Sequence, residues 1–193
     1  MLEYISGKVH KTTPTYTIID NAGIGYFVNI SLQTCEQLRE GEHTIVLVHE
    51  IIREDAHELY GFAQEAERTL FRLLISVSGV GANTARVILS KLSNSEISQA
   101  IASGNVALIQ SVKGIGAKTA QRIIVDLRDK VVVSSVSDEN MPLQSNIIQN
   151  EALSALTMLG FAKTAADKVI QTIIKTMPHA SVEEIVKQAL KHM

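Results

Sequence analysis

The sequence is poor in the residues that several chemistries require. It has one cysteine, Cys35, which excludes an internal disulfide and a cysteine metal cluster, and neither a metal nor a cofactor is expected. No stretch approaches about 18 uncharged apolar residues, and the start of the chain lacks the pattern of a signal peptide, so we expect a cytoplasmic protein. A Gly-x-x-x-x-Gly-Lys-Ser/Thr loop is also absent, which predicts that the chain has no ATP site.

The chain as a whole has no excess of positive charge, but one segment of it does. The formal net charge is −2, which taken alone argues against a nucleic-acid binder. Residues 64–130, however, carry nine Lys and Arg against five Asp and Glu, whereas residues 1–63 carry four against nine. A phosphate-binding surface is therefore expected in the middle of the chain.

That basic segment contains one short sequence motif twice. Residues 77–85 and 112–120 align without a gap at an offset of 35, and in each copy an apolar run stops at Gly-x-Gly before a Thr and a new apolar run. This order predicts a helix, a glycine hairpin and a second helix. The segment is thus expected to be a tandem helix-hairpin-helix domain whose two units bury each other's apolar sides.

The glycine hairpins are the main candidate site. Gly-x-Gly allows positive φ and leaves N–H groups uncovered at a helix N-terminus, where the dipole favours an anion. A plain helical turn is the alternative for a single copy, but duplication and local positive charge favour phosphate binding without base readout. The predicted contacts to the DNA backbone are Gly79, Gly81, Asn83, Arg86, Lys113, Gly114, Gly116, Lys118 and Arg122. Arg86 is the weaker candidate, and Asn83 brings no charge where the second copy has Lys118.

The first 63 residues alternate in the manner of β-strands. Five strand-like segments cover residues 2–9, 15–19, 25–30, 44–52 and 58–62, and residues 32–38 fit a helical turn capped by Ser31. These features predict a small barrel of the OB-fold type. Its acidic character and few aromatic residues disfavour a free-standing single-strand binder.

An acidic pair interrupts the barrel at a predicted hairpin tip. Glu54 and Asp55 lie between two strand-like segments, and composition alone favours an ordinary solvated turn. The pair lacks catalytic residues nearby in the sequence, and two carboxylates are too few for a metal site.

Beyond the basic segment, residues 131–147 have no apolar helical stripe and are rich in Ser, which predicts a mobile linker. Residues 148–193 then fit three helices, the last opened by a capping box at Ser181 and Glu184. This small bundle is predicted to be a separate docking module. The domains are therefore expected at residues 1–63, 64–130 and 148–193, with the linker between the last two.

Two other functions remain open from the residues alone. Helix-hairpin-helix pairs also occur in repair enzymes such as glycosylases and nucleases, although Asp126 and Asp129 fit a charged helix surface more easily than a catalytic site. A generic OB and helical adaptor for DNA is the second alternative.

Over nearly its whole length the chain resembles the RuvA family of Holliday-junction-binding subunits. The resemblance rests on the order of these domains and on Ile52-Arg-Glu-Asp-Ala56, Leu59-Tyr-Gly-Phe62, Glu67-Arg-Thr-Leu-Phe71, the two hairpins and Ala155-Leu-x-x-Leu-Gly-Phe161. It implies a non-catalytic subunit that holds a four-way junction open for branch migration in recombination and DNA repair. It also gives the C-terminal bundle the fold of a small three-helix, UBA-like domain.

The resemblance further implies partners and roles for particular residues. A homotetramer, or an octamer of two tetramers, would hold the junction, and Glu54 and Asp55 would be an acidic pin that repels phosphates near its centre. The C-terminal bundle would dock onto the hexameric AAA+ ATPase RuvB through Leu156, Met158, Leu159 and Phe161, and the junction resolvase RuvC is a further candidate partner. Leu156 and Leu159 also fit the core of the bundle, whereas Met158 and Phe161 fit an exposed patch.

Overall fold

The structure is a computed structural model that describes residues 1–135, 143–177 and 180–192. It divides the chain into two compact units, Met1–Ser137 and Asp138–Met193. The first unit contains a barrel followed by paired helices, and the elements in the described residues of the second are helices. The predicted order of β and α elements is thereby confirmed.

The barrel has the five strands that the alternating pattern predicts. They are β1 (Tyr4–Thr12), β2 (Tyr16–Asn21), β3 (Ile24–Ile30), β4 (His43–Ile52) and β5 (His57–Phe62), with helix α1 (Leu32–Gln37) between β3 and β4. The sheet closes in the order β1-β2-β3-β5-β4. Ser31 caps α1 by accepting a hydrogen bond from the backbone N–H of Thr34, as expected.

The barrel closes where β3 and β5 run parallel, with Asn29 opposite Tyr60 and Ile30 opposite Gly61. A Cβ at Gly61 would lie 2.5 Å from Val28 Cγ1 and 2.8 Å from Val46 Cγ1. Because the barrel interior is filled at this point, only glycine allows the strands to approach as they do.

Five helices follow in the first unit. They are α2 (Glu65–Ile75), α3 (Ala82–Lys91), α4 (Asn94–Ser103), α5 (Val106–Gln110) and α6 (Ala117–Ser135). A capping box formed by Ser93 and Glu96 begins α4, and Gly104 ends it in the left-handed conformation. These helices form the two predicted hairpins, one between α2 and α3 and the other between α5 and α6.

The predicted linker is shorter at both ends than expected. Helix α6 continues to Ser135, five residues past the predicted end, because Val131 is buried and extends the apolar stripe of Ile123 and Leu127 at four-residue spacing. Helix α7 already begins at Leu143. The remaining linker residues, 136–142, lie outside the described residues, and the predicted mobility remains a prediction.

The barrel and the paired helices share one core. Tyr60 and Phe62 of β5 belong to the same buried cluster as the apolar residues of α2 to α6. The ring of Phe71 on α2 lies 5.1 Å from that of Tyr60 and 5.0 Å from that of Phe62. Since aromatic burial contributes strongly to cohesion, the hairpins are held in a fixed position relative to the barrel.

The second unit consists of α7 (Leu143–Met158), α8 (Lys163–Thr176) and α9 (Val182–His192) around a core of its own. The predicted capping box before α9 is confirmed, since the Ser181 N–H donates to Glu184 Oε2 at 3.0 Å and the Glu184 N–H donates to Ser181 Oγ at 3.3 Å. None of the helices in the described ranges is long and apolar enough to cross a membrane.

Candidate nucleic-acid interface

The first hairpin is a tight backbone turn that connects α2 to α3. The Val77 N–H donates to Leu74 O, the Val80 N–H to Val77 O at 3.0 Å, and the Ala85 N–H to Gly81 O at 2.9 Å. Helix α3 begins with no side-chain cap and no acidic residue in its first turn. Its leading N–H groups are therefore free of a capping side chain at the positive end of the helix dipole.

The second hairpin reproduces these bonds at the same offset of 35 residues. The Val112 N–H donates to Ile109 O, the Ile115 N–H to Val112 O at 3.1 Å, and the Ala120 N–H to Gly116 O at 3.0 Å. Helix α6 likewise has no acidic residue in its first turn. The sequence repeat is thus a repeat of backbone structure.

The two glycines of each hairpin differ, and only the first of each pair has the positive φ that Gly-x-Gly allows. Gly79 and Gly114 have φ values of +91° and +92°, where other residues are strained. Gly81 has φ −83° and ψ 166°, and apart from the adjacent residues of the chain no atom would lie within 4 Å of a Cβ at Gly81 or Gly116. The chain itself therefore gives no steric reason for the second glycine, and its missing side chain leaves open space beside the helix N-terminus.

The first hairpin and the start of α6 meet along one groove. It is lined by Ser78 and Gly79 from the first hairpin and by Lys118, Thr119, Gln121 and Arg122 from α6. Arg122 crosses it, with Nη1 donating to Ser78 O at 3.3 Å. The structure thus brings together predicted site residues from both repeats.

The other side chains that were predicted to contact DNA either face solvent or bond to the barrel. Asn83, Lys113 and Lys118 are exposed. Arg86 instead donates from Nη1 to Thr15 O at 2.7 Å and to Asn29 Oδ1 at 3.4 Å, so its guanidinium ties α3 to the barrel. The sequence prediction did not anticipate this role for Arg86, because it depends on barrel residues 71 and 57 positions earlier in the chain.

Glu54 and Asp55 form the tip of the β4–β5 hairpin, as predicted. The Arg53 N–H donates to Ala56 O at 2.8 Å, and this bond closes the loop around the two acids. Both acids are exposed, and among the described residues neither takes part in an ion pair. Below the tip, His57 Nε2 lies 2.8 Å from Glu50 Oε1. The tip thus presents two adjacent carboxylates to solvent.

Two buried charged residues on α2 were not predicted as functional. Glu67 accepts hydrogen bonds from the hydroxyls of Ser31 and Thr34, the latter at 2.7 Å, and burial raises the pKa of its carboxyl group. Arg68 donates to Glu3 O at 2.9 Å and pairs with the Glu3 carboxylate at 2.5 Å. Both residues connect α2 to the barrel. The feature of the sequence that could have indicated them is a pair of charged residues within an apolar helical stripe.

The candidate docking residues of the second unit fall into distinct environments. Leu156 is 0% exposed and lies in the core, which confirms its core interpretation and contradicts the surface contact that the resemblance implied. Met158 and Leu159 are 86% and 60% exposed, which overturns the core interpretation of Leu159. Phe161 is half-buried and packs against the core. The exposed apolar patch is therefore formed by Met158 and Leu159.

Comparison with known proteins finds similarity along nearly the whole chain. Three family models match it: "RuvA N terminal domain" over residues 1–61, "SAM-like Helix-hairpin-helix tandem" over 71–129 and "RuvA, C-terminal domain" over 148–193.

Curated relatives cover the same length. Proteins of Flavobacterium psychrophilum and Christiangramia forsetii are 50% and 51% identical to the chain over 193 residues, which is 100% of both sequences in each case. A protein of Parabacteroides distasonis is 48% identical over 194 residues, 99% of each. All three are named "Holliday junction branch migration complex subunit RuvA".

Proposed function

The chain belongs to the RuvA family, and we propose that it is the subunit that binds a four-way DNA junction by structure and holds it for branch migration. In this role it catalyses no covalent step. Its contribution to recombination and repair is to recognise the junction and to bring a separate motor to it.

The observation that carries the proposal is the pair of hairpins with matched backbone bonds, the first of which shares a groove with the helix that follows the second. Each hairpin starts a helix without an acidic residue in the first turn, and an exposed lysine, Lys118, lines the groove. A phosphate beside Gly81 or Gly116 would accept hydrogen bonds from backbone N–H groups, and the helix dipole would favour its negative charge. Since two hairpins offer two such sites, one subunit would hold both strands of an arm.

Contacts of this kind predict DNA binding that is independent of base sequence. Backbone amides and lysine or arginine side chains recognise phosphates, which are alike at every base pair. Affinity would depend strongly on salt, because each phosphate contact releases counterions. The proposed contact set is Gly79, Gly81, Asn83, Lys113, Gly114, Gly116, Lys118 and Arg122, with Arg86 serving mainly to hold α3 against the barrel.

Glu54 and Asp55 supply what the hairpins lack, a means of choosing a junction over an ordinary duplex. Two exposed carboxylates at the tip of a hairpin repel phosphates, and the repulsion is strong at distances below a Debye length of about 8 Å at physiological salt. With several copies around a centre, the tips would separate strands where the arms meet. This role requires an oligomer, and a homotetramer is the proposed state.

The second unit is proposed to dock the hexameric ATPase RuvB through Met158 and Leu159, with RuvC as a further candidate partner of the complex. The support is the exposed apolar pair at the end of α7. Leu156 would act only indirectly, by holding the core together.

The test compares a four-way junction, a linear duplex and a single strand of equal length at several salt concentrations. We expect the junction to bind most tightly. Lys118→Ala should weaken binding and lower the slope of log affinity against log salt by about 0.9, the value for one phosphate contact on duplex DNA. Equal affinity for junction and duplex would contradict the proposal.

The acidic tip has a test of its own, in which Glu54→Gln and Asp55→Asn are combined. Both changes keep shape and remove charge, so the hairpins retain their affinity for duplex arms. We expect selectivity for the junction and strand separation at its centre to decrease. Unchanged selectivity would remove the tip from the mechanism.

A further inference from the structure

Each hairpin is contacted by a cation from the other repeat. Arg122 on α6 donates from Nη1 to Ser78 O in the first hairpin at 3.3 Å. In return, Lys91 at the end of α3 donates from Nζ to Ser111 O in the second hairpin and lies 3.2 Å from Ser111 Oγ. The two turns are thus joined by a pair of crossed contacts.

The crossed contacts are not a product of the sequence repeat. At the offset of 35, the position equivalent to Lys91 holds Asp126, and the position equivalent to Arg122 holds Val87. The two units therefore differ at these positions while their turns share the same backbone bonds. A requirement on each turn separately would place the same residue in both copies. The difference indicates a requirement on the relation between the turns.

The contact of Lys91 has a clear local effect. Ser111 is the C-cap of α5, a helix of only five residues, and its carbonyl lies at the negative end of that helix. A cation there is favoured by the helix dipole and satisfies a carbonyl that has no partner further along the helix. Lys91 thus links the short helix before the second hairpin to the helix after the first.

We propose that Lys91 and Arg122 are positioning residues that fix the separation of the two phosphate-binding turns, and hence of the two strands that one subunit holds. This inference rests on the proposed function. Lys91 Nζ contacts Ser111 and does not line the groove, so its proposed action is through the second hairpin, and the salt slope below tests this against a direct contact with DNA. Arg122 lines the groove and would act on both the turn and the phosphate.

Amide hydrogen exchange of the free protein tests the crossed arrangement. Lys91→Met keeps the aliphatic stem and removes the donor, and we expect faster exchange in residues 111–116 with residues 76–81 unchanged. Arg122→Met should give the opposite pattern, faster exchange in 76–81 with 111–116 unchanged. General destabilisation would raise exchange in both turns. Faster exchange in both turns, or in neither, would overturn the inference.

DNA binding then tests the consequence for function. For Lys91→Met we expect junction affinity to fall about three- to tenfold, the effect of losing one hydrogen bond, while the salt slope stays at the wild-type value. Lys91→Arg, which keeps a donor and a charge, should restore affinity. Lys11→Met is the matched control, because it removes the same charge from an exposed position of β1 and should leave affinity near the wild-type value.

Two results would overturn the positioning role. An unchanged affinity of Lys91→Met would show that the separation of the turns does not matter, and a lower salt slope would make Lys91 a phosphate contact. Failure of the proposed function is distinguishable, because wild-type protein would then bind junction and duplex equally.

Discussion

At the scale of single residues, the two glycines of the first hairpin are under different constraints. Gly79 requires positive φ, whereas Gly81 has a backbone conformation open to any residue and free space where a side chain would begin. The first glycine is needed by the turn. The second is not required by the φ of the turn, and the proposed phosphate accounts for the absence of a side chain there.

This difference predicts that the same substitution affects stability at one glycine and DNA binding at the other. Gly79→Ala should lower the free energy of unfolding by about 1 kcal/mol, because alanine is strained at positive φ. Gly81→Ala should change it by less than about 0.5 kcal/mol, since the loss of a favoured N-cap residue is offset by lower entropy of the unfolded chain. Junction binding should nevertheless weaken in Gly81→Ala, because the new methyl group lies in the path of the phosphate.

Urea unfolding and junction titration measure the two effects independently. Tyrosine fluorescence reports on the first unit alone, because the chain has no tryptophan and its four tyrosines all lie in the barrel strands. Gly114→Ala and Gly116→Ala provide the matched pair in the second hairpin. Full binding by both Gly81→Ala and Gly116→Ala would contradict a phosphate at these positions.

Glu67 predicts a pH dependence of stability. Burial raises the pKa of its carboxyl group in the folded protein, so the folded state holds the proton more tightly than the unfolded state does. The stability from this group is complete below the unfolded pKa, about 4.3, and is lost as the pH rises through the folded value. The free energy of unfolding of wild type, relative to Glu67→Gln, should therefore fall as the pH rises from about 4.

Glu96 is the control of opposite sign for this experiment. The backbone N–H and hydroxyl of Ser93 donate to its carboxylate and lower its pKa. Its contribution is present above the unfolded pKa and is lost as the pH falls through the folded value. The free energy of unfolding of wild type, relative to Glu96→Gln, should thus fall as the pH falls. If it changed with pH in the same direction relative to Glu67→Gln and relative to Glu96→Gln, the opposite pKa shifts of the two carboxyl groups would be contradicted.

At the scale of elements, the hairpins share a backbone but differ in charge. Asn83 and Lys118 occupy equivalent, exposed positions in the first turns of α3 and α6. We expect Asn83→Lys to tighten junction binding and to steepen the salt slope by about 0.9. Lys118→Asn should have the reverse effect and is the matched control. Equal slopes for the two variants in a salt titration would mean that neither position contacts a phosphate.

The elements also show which features sequence can predict. The hairpins follow from local patterns, because Gly-x-Gly and apolar periodicity act within a few residues. The same holds for the five strands and for the capping boxes at Ser93 and Ser181.

The crossed and bridging contacts could not be predicted in this way. Arg86 bonds Thr15, 71 residues away in sequence, and Lys91 bonds Ser111, 20 residues away. Such contacts depend on how elements pack after they have formed. The end of α6 was misjudged for a related reason, since burial of Val131 outweighs the weak helix preference of a valine-rich and serine-rich stretch.

At the scale of the whole molecule, the proposed DNA-binding and motor-docking surfaces lie in separate compact units. The hairpins and the acidic tip all belong to Met1–Ser137, and the exposed apolar pair belongs to Asp138–Met193. Because each unit has its own core, a change on the surface of one should leave the other intact. The two activities are therefore expected to be separable by mutation.

Combined Met158→Ser and Leu159→Ser substitutions should abolish stimulation of the proposed partner ATPase while junction affinity stays at the wild-type value. Both side chains are largely exposed, so the stability of the second unit should change by less than about 0.5 kcal/mol. Leu156→Ala is the contrasting variant: its buried side chain predicts a loss of about 2–5 kcal/mol in that unit, with junction binding again unchanged. Full ATPase stimulation by the double variant would exclude the exposed pair as the docking surface, whereas weakened junction binding would show that the units are coupled.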